Sequence, residues 1–572
     1  MSISARRLSR TQMVDVGTMP EVAGAVALGS ASYAIPGDAL YVDFVNGNNS
    51  NAGTIGSPKK TVANAISVAS SGDTIVCRGG TYLETIGGIT KSVTIQNYPG
   101  EVVWFDGADV VTGWAASGGK WVKTGWTAEF NHSNPSAGDL SRYLDGTSEA
   151  MAHWPDGCWI NGVRQVLVDS NPGAGEWSVD YSANTATLGS DPTGKTVHIT
   201  AREYAALLQS VVTIRGVGVR RYAAGLTPYG GMIDIVSAGS GSTLENVWVS
   251  DAGIQGIAVI GQNVTLRRIT VQDCGGSGIG GNNANDLLVD HILVRRINQR
   301  GWKAEPISAG IKITKAQRVK VQHSRFEDCN RCDGIWFDQG CGNGVIAHNA
   351  VYNAQNYAIE IELGGIDWIV AGNHVIGCTN TRYGIAGFDT QYLRLWNNRV
   401  EPTSSWDIGY ITDERRNDGS WGYSTTDFPG TSGNVQIANN LLDGGRGRLY
   451  RLYADGDSSA SPAVYANSAT VLVQGNVVTS NAGSSTNATR LAGWTNNSQT
   501  RIDYATYASL QAAAPVVGAN ALYDGAIVPA GALSSFASSV GAAIPADVAA
   551  VLGVSSGTKL IGPLLPAPIA AT

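Results

Sequence analysis

Long apolar runs are missing from this chain. The stretch Val22 to Leu28 is far too short to cross a bilayer, which takes about 20 apolar residues, so a membrane span is excluded. It also makes a poor secretory signal, because Asp15 and Glu21 separate it from the basic Arg6, Arg7 and Arg10. Excess positive charge is missing as well. The net charge of -7 argues against nucleic acid as a partner, since phosphate binding needs a basic surface. Seven cysteines make no secreted disulfide framework. Cys274, Cys329 and Cys378 each follow an apolar strand residue (Val271, Phe326, Val375) by three positions, which predicts a buried stack of small residues. Cys329 and Cys332 form a CxxC, but no second pair or nearby histidine pair completes a metal site. Helical periodicity is scarce, and charged residues make up only 15% of the chain.

What is present is glycine, 72 of 572 residues, with Asn, Thr, Val and Ile between, a mixture suited to short strands joined by tight turns. Four segments recur in the middle of the chain: Gly310 to Thr314, Gly334 to Asp338, Ala358 to Glu362 and Gly384 to Phe388. Ile311, Ile335, Ile359 and Ile385 are 24, 24 and 26 residues apart, each opening the alternation of a half-buried strand. A second column runs through Val249, Val271, Val294, Phe326, Val351, Val375 and Val400, then more loosely to Leu442 and Val478. A repeat in the twenties with this composition predicts a parallel β-solenoid and overrides the length prior of several separate domains. Asn349, Asn373, Asn398, Asn440 and Asn476 each precede the second column by two, which predicts an internal ladder of stacked amides.

With the isoleucines pointing inward, Lys312, Trp336, Glu360 and Ala386 form one outward column, and Thr314, Asp338, Glu362 and Phe388 the next. Neighbouring strands lie about 4.8 Å apart and alternate residues about 6.6 Å, so Asp338 and Glu362 are expected as direct neighbours with Glu360 one step along. Close carboxylates repel when both are ionised, which favours one of them keeping a proton as an acid catalyst requires. Separations of about 5 to 5.5 Å suit a retaining glycosidase and about 6.5 to 9.5 Å an inverting one; both pairings are open at this stage. Two steps of the period are long. The 32-residue step holds Arg300, Trp302, Lys303 and Glu305, and the 42-residue step holds Arg415, Arg416 and Trp421. Insertions on a solenoid gather on its binding face, so Trp302, Arg415, Arg416 and Trp421 are expected to wall a groove floored by Trp336, Asp338, Glu360, Glu362 and Asp389.

The segment from Tyr41-Val42-Asp43 through the helical pattern Thr61 to Ala69, Gly72-Asp73-Thr74-Ile75-Val76, Gly79-Gly80-Thr81-Tyr82 and on to Phe105-Asp106-Gly107 resembles the opening module of right-handed parallel β-helix proteins. That resemblance implies an all-β, right-handed parallel β-helix (solenoid) with an N-terminal capping helix. Between Val110 and Arg202 the period lapses and tryptophans concentrate; Ala152-His153-Trp154-Pro155 is similar to a phrase in the small β-rich insertion of carbohydrate-active β-helix enzymes. Its tryptophans are expected in the core of that insertion. The organisation expected is an N-terminal arm (1–40), a cap with first coils (41–110), the insertion (111–205), the solenoid body with the groove (206–480) and an Ala/Gly-rich C-terminal segment (481–572), with short helices in its Ala-rich stretches.

The whole is similar to phage tailspikes and polysaccharide depolymerases. The resemblance implies a polysaccharide substrate, no required cofactor, an extracellular place on a virion tail or as a secreted bacterial enzyme, and a homotrimer. Three chemistries stay open. Hydrolysis would use Asp338, Glu360, Glu362 and Asp389 as acid, base or nucleophile. A lyase acting by β-elimination would take Lys312 or Arg415 as base or charge neutraliser and hold Ca2+ on the carboxylates. A tail protein or adhesin would bind glycan without cleaving it. The paired Arg and Pro pattern of pectate lyases and the Asp-Asp and Gly-His-Gly signatures of polygalacturonases are absent from the sequence.

Overall fold

The structure, a computed structural model, describes residues 22–132, 139–225, 230–363, 366–378, 383–388, 390–401, 403, 406–411, 435–442, 449–453, 471–480, 492–495, 501–504, 509, 512, 523–529, 541–560, 562 and 570–571. The chain divides into two compact units: Ala23–Ile313 with Asp328–Cys332, and Thr314–Glu327 with Asp333–Ala571 and the N-terminal residues to Val22.

In the first unit the chain coils with three short strands per turn. One face stacks Gly87–Ile89, Ala206–Leu208, Ile233–Ile235, Gln255–Val259 and Ser277–Asn282, all parallel and in register. Leu208, Ile235 and Val259 are therefore one inward column, completely buried. The helix Val62–Val68 lies on the first coils; Thr61 caps it through Asn64 N, and the Glu84 carboxylate accepts from Val62 N and Ala63 N at 3.0 and 3.3 Å. Residues 23–34 run along the outside of the coils, with Ala25 N donating to Thr270 Oγ1 and Trp248 Nε1 to the Val26 carbonyl.

The insertion is an eight-stranded sheet in the order Ala108–Val110, Val197–Thr200, Cys158–Ile160, Val163–Leu167, Glu176–Asp180, Thr185–Leu188, Lys120–Thr124 and Ala115–Ser117. Its pairings are antiparallel except that of Val163–Leu167 with Glu176–Asp180. Trp177 is fully buried at its centre with Leu167, Leu188 and Ile199, and Trp114, Trp121, Trp126 and Trp154 pack against that core.

The second unit continues the same pattern. Gly344–Ala347, Ile366–Ala371, Gln391–Trp396 and Val435–Ala438 stack on one face, Ala350–Tyr352, His374–Ile376, Arg399–Val400 and Leu441–Leu442 on the next. At the corner between them sits the asparagine ladder. Asn349 donates to Asn373 Oδ1 through both its backbone N–H and Nδ2, Asn373 does the same to Asn398, Asn398 to Asn440, and Asn440 to Asn476, all at 2.9 to 3.1 Å. The residue before each ladder position, His323, His348, Gly372, Asn397, Asn439 or Gly475, has φ between 49° and 68°, the left-handed turn that swings the chain round the corner. Residues 541–560 and 562 lie across this corner as a strap. Their helix Ala546–Leu552 buries Val548, Ala549 and Leu552 against Ile369, Ala371, Trp396 and Ala438.

All seven cysteines are buried thiols, among them Cys274, Cys329 and Cys378, whose burial the spacing predicts. No helix among the described residues is long and apolar enough to cross a membrane.

Candidate active site

The candidate site lies on the outward face of Asp333–Asp338, Tyr357–Ile361, Tyr383–Phe388 and Trp406–Ile411 in the second unit. Ile335, Ile359, Ile385 and Ile408 pair in register and are completely buried, as the spacing predicts. The strands begin one residue earlier than the repeat implied, and their first turn is irregular. Gly334, Ala358 and Gly384 face the interior too: a Cβ on Gly334 would lie 2.6 Å from the Ala358 carbonyl oxygen and 2.7 Å from Val351 Cγ1, and one on Gly384 2.5 Å from the Asp407 oxygen and from Val400 Cγ1. Two consecutive inward positions flip the phase, so Tyr357 and Glu360 both end up outside.

Three outward columns result. Asp333, Tyr357, Tyr383 and Trp406 form the first, and Tyr357 N donates to Asp333 Oδ1 at 2.8 Å. Trp336, Glu360, Ala386 and Gly409 form the second. Asp338, Glu362 and Phe388 belong to the third; Glu362 N donates to the Phe337 carbonyl at 2.7 Å and Gln339 N to the Glu362 carbonyl, which keeps Asp338 and Glu362 side by side up to the turn. The three carboxylates expected on neighbouring strands are thus brought together. Their oxygens suit acid–base work and a hard cation alike.

The face is not the open floor anticipated. Trp336 is 1% exposed, Glu360 2%, Asp338 5% and Glu362 8%. Beside them Tyr357, Tyr383, Phe388 and Trp406 pack into an aromatic cluster with Ala386. The tyrosine rings stack 5.6 Å apart at 16°, and Phe388 meets them edge-on at 5.7 and 6.4 Å. Small residues in the second column make room for this. The Tyr383 ring lies on Gly409, where a Cβ would sit 2.4 Å from its Cδ1. Sequence reading missed Tyr357, Tyr383 and Trp406, although they recur two positions before each isoleucine; strict alternation assigns such residues to the interior.

One expected site residue falls elsewhere. Trp302 does not wall a groove: it is completely buried in the first unit with Tyr143, Ala152 and Ile254. The long step that carries it serves to grip residues 140–156. Lys303 N donates to the Tyr143 carbonyl, Ser148 Oγ to the Gly301 carbonyl, and the buried Arg300 guanidinium to the carbonyls of Trp154 and Asp156. Next to that contact Asp156 accepts from Tyr181 Oη at 2.8 Å, and burial pushes its carboxyl up to about 6. Lys312, on the strand Ala309–Thr314, donates from Nζ to the Pro306 carbonyl at 2.6 Å. Asp389, Arg415, Arg416 and Trp421 lie outside the described residues.

Residues 234–400 match the family described as right handed beta helix region. A solved structure titled as the complex of XylC with xylose superposes with a TM-score of 0.51 at 18% identity, covering 72% of this chain and 69% of that one. The fold is a right-handed parallel β-helix. A periplasmic alginate epimerase, AlgG, aligns at 12% identity over 65% of this chain and 72% of its own, with a TM-score of 0.36. Among curated proteins, the uncharacterised YwoF of Bacillus subtilis (strain 168) is 40% identical over 79 residues. That match takes in 13% of this β-helix chain and only 17% of the length of YwoF.

Proposed function

We propose that the chain is a polysaccharide depolymerase that cleaves glycosidic bonds by carboxylate acid–base hydrolysis. The observation that carries this reading is the register placing Asp338, Glu360 and Glu362 on one outward face beside the Tyr357, Tyr383 and Trp406 column. Hydrolysis of an acetal needs one carboxyl to protonate the leaving oxygen and a second to act as base or nucleophile. Asp338 and Glu362 are such a pair on adjacent strands, and Glu360 offers the longer diagonal to Asp338. Aromatic rings next to carboxylates supply the apolar surface on which sugar rings stack. Hydrolysis is favoured over β-elimination because the clustered groups are carboxylates rather than a Lys or Arg base. Under the same reading the protein works outside the cell, on a virus tail, as a trimer.

The test is digestion of a panel of bacterial surface polysaccharides, following reducing ends and the absorbance of unsaturated uronate in parallel. Reducing ends without new absorbance are expected, and Asp338→Asn is expected to lower the rate by at least about 100-fold, the scale of a lost general acid or base, together with Glu362→Gln if the pair is retaining or Glu360→Gln if it is inverting. The anomer formed first then identifies the pair: retention points to Asp338 with Glu362, inversion to Asp338 with Glu360. Absorbance rising with the ends would replace hydrolysis by elimination. No product from any polymer would leave a glycan-binding protein.

A further inference from the structure

The ladder corner of the second unit bears a feature unrelated to the carboxylates. Its outward side chains hold residues 541–560 and 562 through backbone groups. Asn439 Nδ2 donates to the Ala542 carbonyl at 2.9 Å while Ala542 N donates back to Asn439 Oδ1 at 2.7 Å. Asn397 Nδ2 donates to the Leu560 carbonyl at 2.8 Å, and Gly562 N to the Asn439 carbonyl at 2.7 Å. Histidine also stands in this column. His348 is 4% exposed, and its Nε2 lies 3.0 Å from the Val551 carbonyl at the end of the strap helix. A carbonyl can only accept, so Nε2 carries the proton and Nδ1 is the bare nitrogen.

That bare nitrogen is buried without a hydrogen-bond partner. It faces the backbone of Gly372, where a Cβ would lie 2.9 Å from Nδ1 and 3.0 Å from Leu552 Cδ2. A second proton would therefore put a charged N–H against a glycine Cα and a leucine methyl group. The titratable and charged groups on the elements around it are His323 and Lys320 beside the preceding turn, Asp367 and Arg394 on the neighbouring strands, and Asp547 and Lys559 on the strap. Arg394 is bound to both Asp367 and Asp547. His323 stacks on His348 at 5.5 Å and 5°, a neighbour that further opposes a charge there.

We propose that residues 541–560 and 562 are an acid-releasable strap, held while His348 is neutral and freed from the solenoid corner when His348 takes a second proton. Release exposes His348 to water, where its ordinary affinity for a proton returns, so opening and protonation reinforce each other. Docked, burial lowers His348 from 6.5 to about 4. The docked strap thus loses ground as pH falls below about 6.5, and the effect levels off near pH 4. Over that window the population of the open strap rises roughly a hundredfold or more, at tenfold per pH unit.

Hydrogen–deuterium exchange on the full chain between pH 7.5 and 4.5, corrected for intrinsic exchange, tests this. Protection of Ala542, Ile544, Ala549 and Gly562 is expected to fall about tenfold per pH unit below 6.5, while the strand Tyr357–Ile361 stays protected. His348→Gln keeps a donor for the Val551 carbonyl and cannot be charged, so its strap protection is expected to be flat with pH. Wild-type protection that does not change with pH would overturn the proposal. So would a fall shared equally by the variant, or a fall in the strap and the core strand together.

Discussion

Replacing Asn373 by alanine probes how the coils are joined. Asn373 is completely buried. Its Oδ1 accepts from the backbone N–H and Nδ2 of Asn349, each at 3.0 Å, and its Nδ2 donates to the Ile346 carbonyl at 2.8 Å and to Asn398 Oδ1 at 3.0 Å. Alanine removes all four bonds. Asn398 Oδ1 keeps the Asn373 backbone N–H, and Asn349 Nδ2 keeps the Val321 carbonyl through its other hydrogen. Two buried groups are then stranded, the Asn349 N–H and one Asn349 amide hydrogen, while the Ile346 carbonyl keeps its place in the pairing of Gly344–Ala347 with Ile366–Ala371. At about 1 to 3 kcal/mol for each buried group without a partner, the loss should be about 2 to 6 kcal/mol, with no allowance for relaxation. Asn373→Asp separates donor from acceptor. It keeps the acceptor for Asn349 but turns the donor into an oxygen facing two other oxygens, so it should be at least as damaging at pH 7 and regain stability in acid as the carboxyl gains a proton. Urea denaturation at pH 7 and pH 4.5 measures both. An alanine variant within 1 kcal/mol of wild type, a threshold below the cost of one stranded group, would refute the ladder as a source of stability.

Trp302→Ala should lower stability by about 3 to 5 kcal/mol, the range for removing a buried aromatic side chain, and leave KM per folded molecule unchanged; thermal melts beside glycan-cleavage kinetics separate this from a groove-wall role. Asp156→Asn should stabilise the protein above pH 6. Burial raises the Asp156 carboxyl from 3.8 to about 6, so folding favours its protonated form and loses stability as pH rises through that interval. The gain should reach about 3 kcal/mol at pH 8 and vanish below pH 4, read from urea midpoints across pH. Gly334→Ala should cost about 1 to 3 kcal/mol by overpacking against the Ala358 carbonyl and Val351, whereas the same change at Gly118, with nothing within 4 Å, tests only its left-handed backbone and should cost about 1 kcal/mol.

Much of the solenoid was legible because its determinants are periodic. The isoleucines from Ile311 to Ile385 set the register, and the asparagines from Asn349 to Asn476 announce their ladder because a buried amide at a fixed interval has few partners besides the next one. The three carboxylates were placed correctly as neighbours for the same reason. What escaped either broke the alternation within a strand or depended on partners far along the chain. The double inward turn at Gly334, Ala358 and Gly384 breaks the alternation and brings Tyr357, Tyr383 and Trp406 to the outer face, which alternation alone would have buried inside. Trp302 read as a loop aromatic because its partners Tyr143, Ala152 and Ile254 are distant along the chain. His348 drew no attention in the sequence, since the carbonyl it holds comes from Val551, about two hundred positions later.

The ladder also makes each coil an exchangeable part. Asn349, Asn373, Asn398 and Asn440 offer one carbonyl oxygen backward and take the next one forward, with nearly the same pair of distances at every step. A duplicated or excised coil cut from one asparagine to the next would meet matching connectors at both seams. Growth and shortening of such a chain by whole turns is then a change of count rather than of design, and novelty can accumulate in the segments between the asparagines.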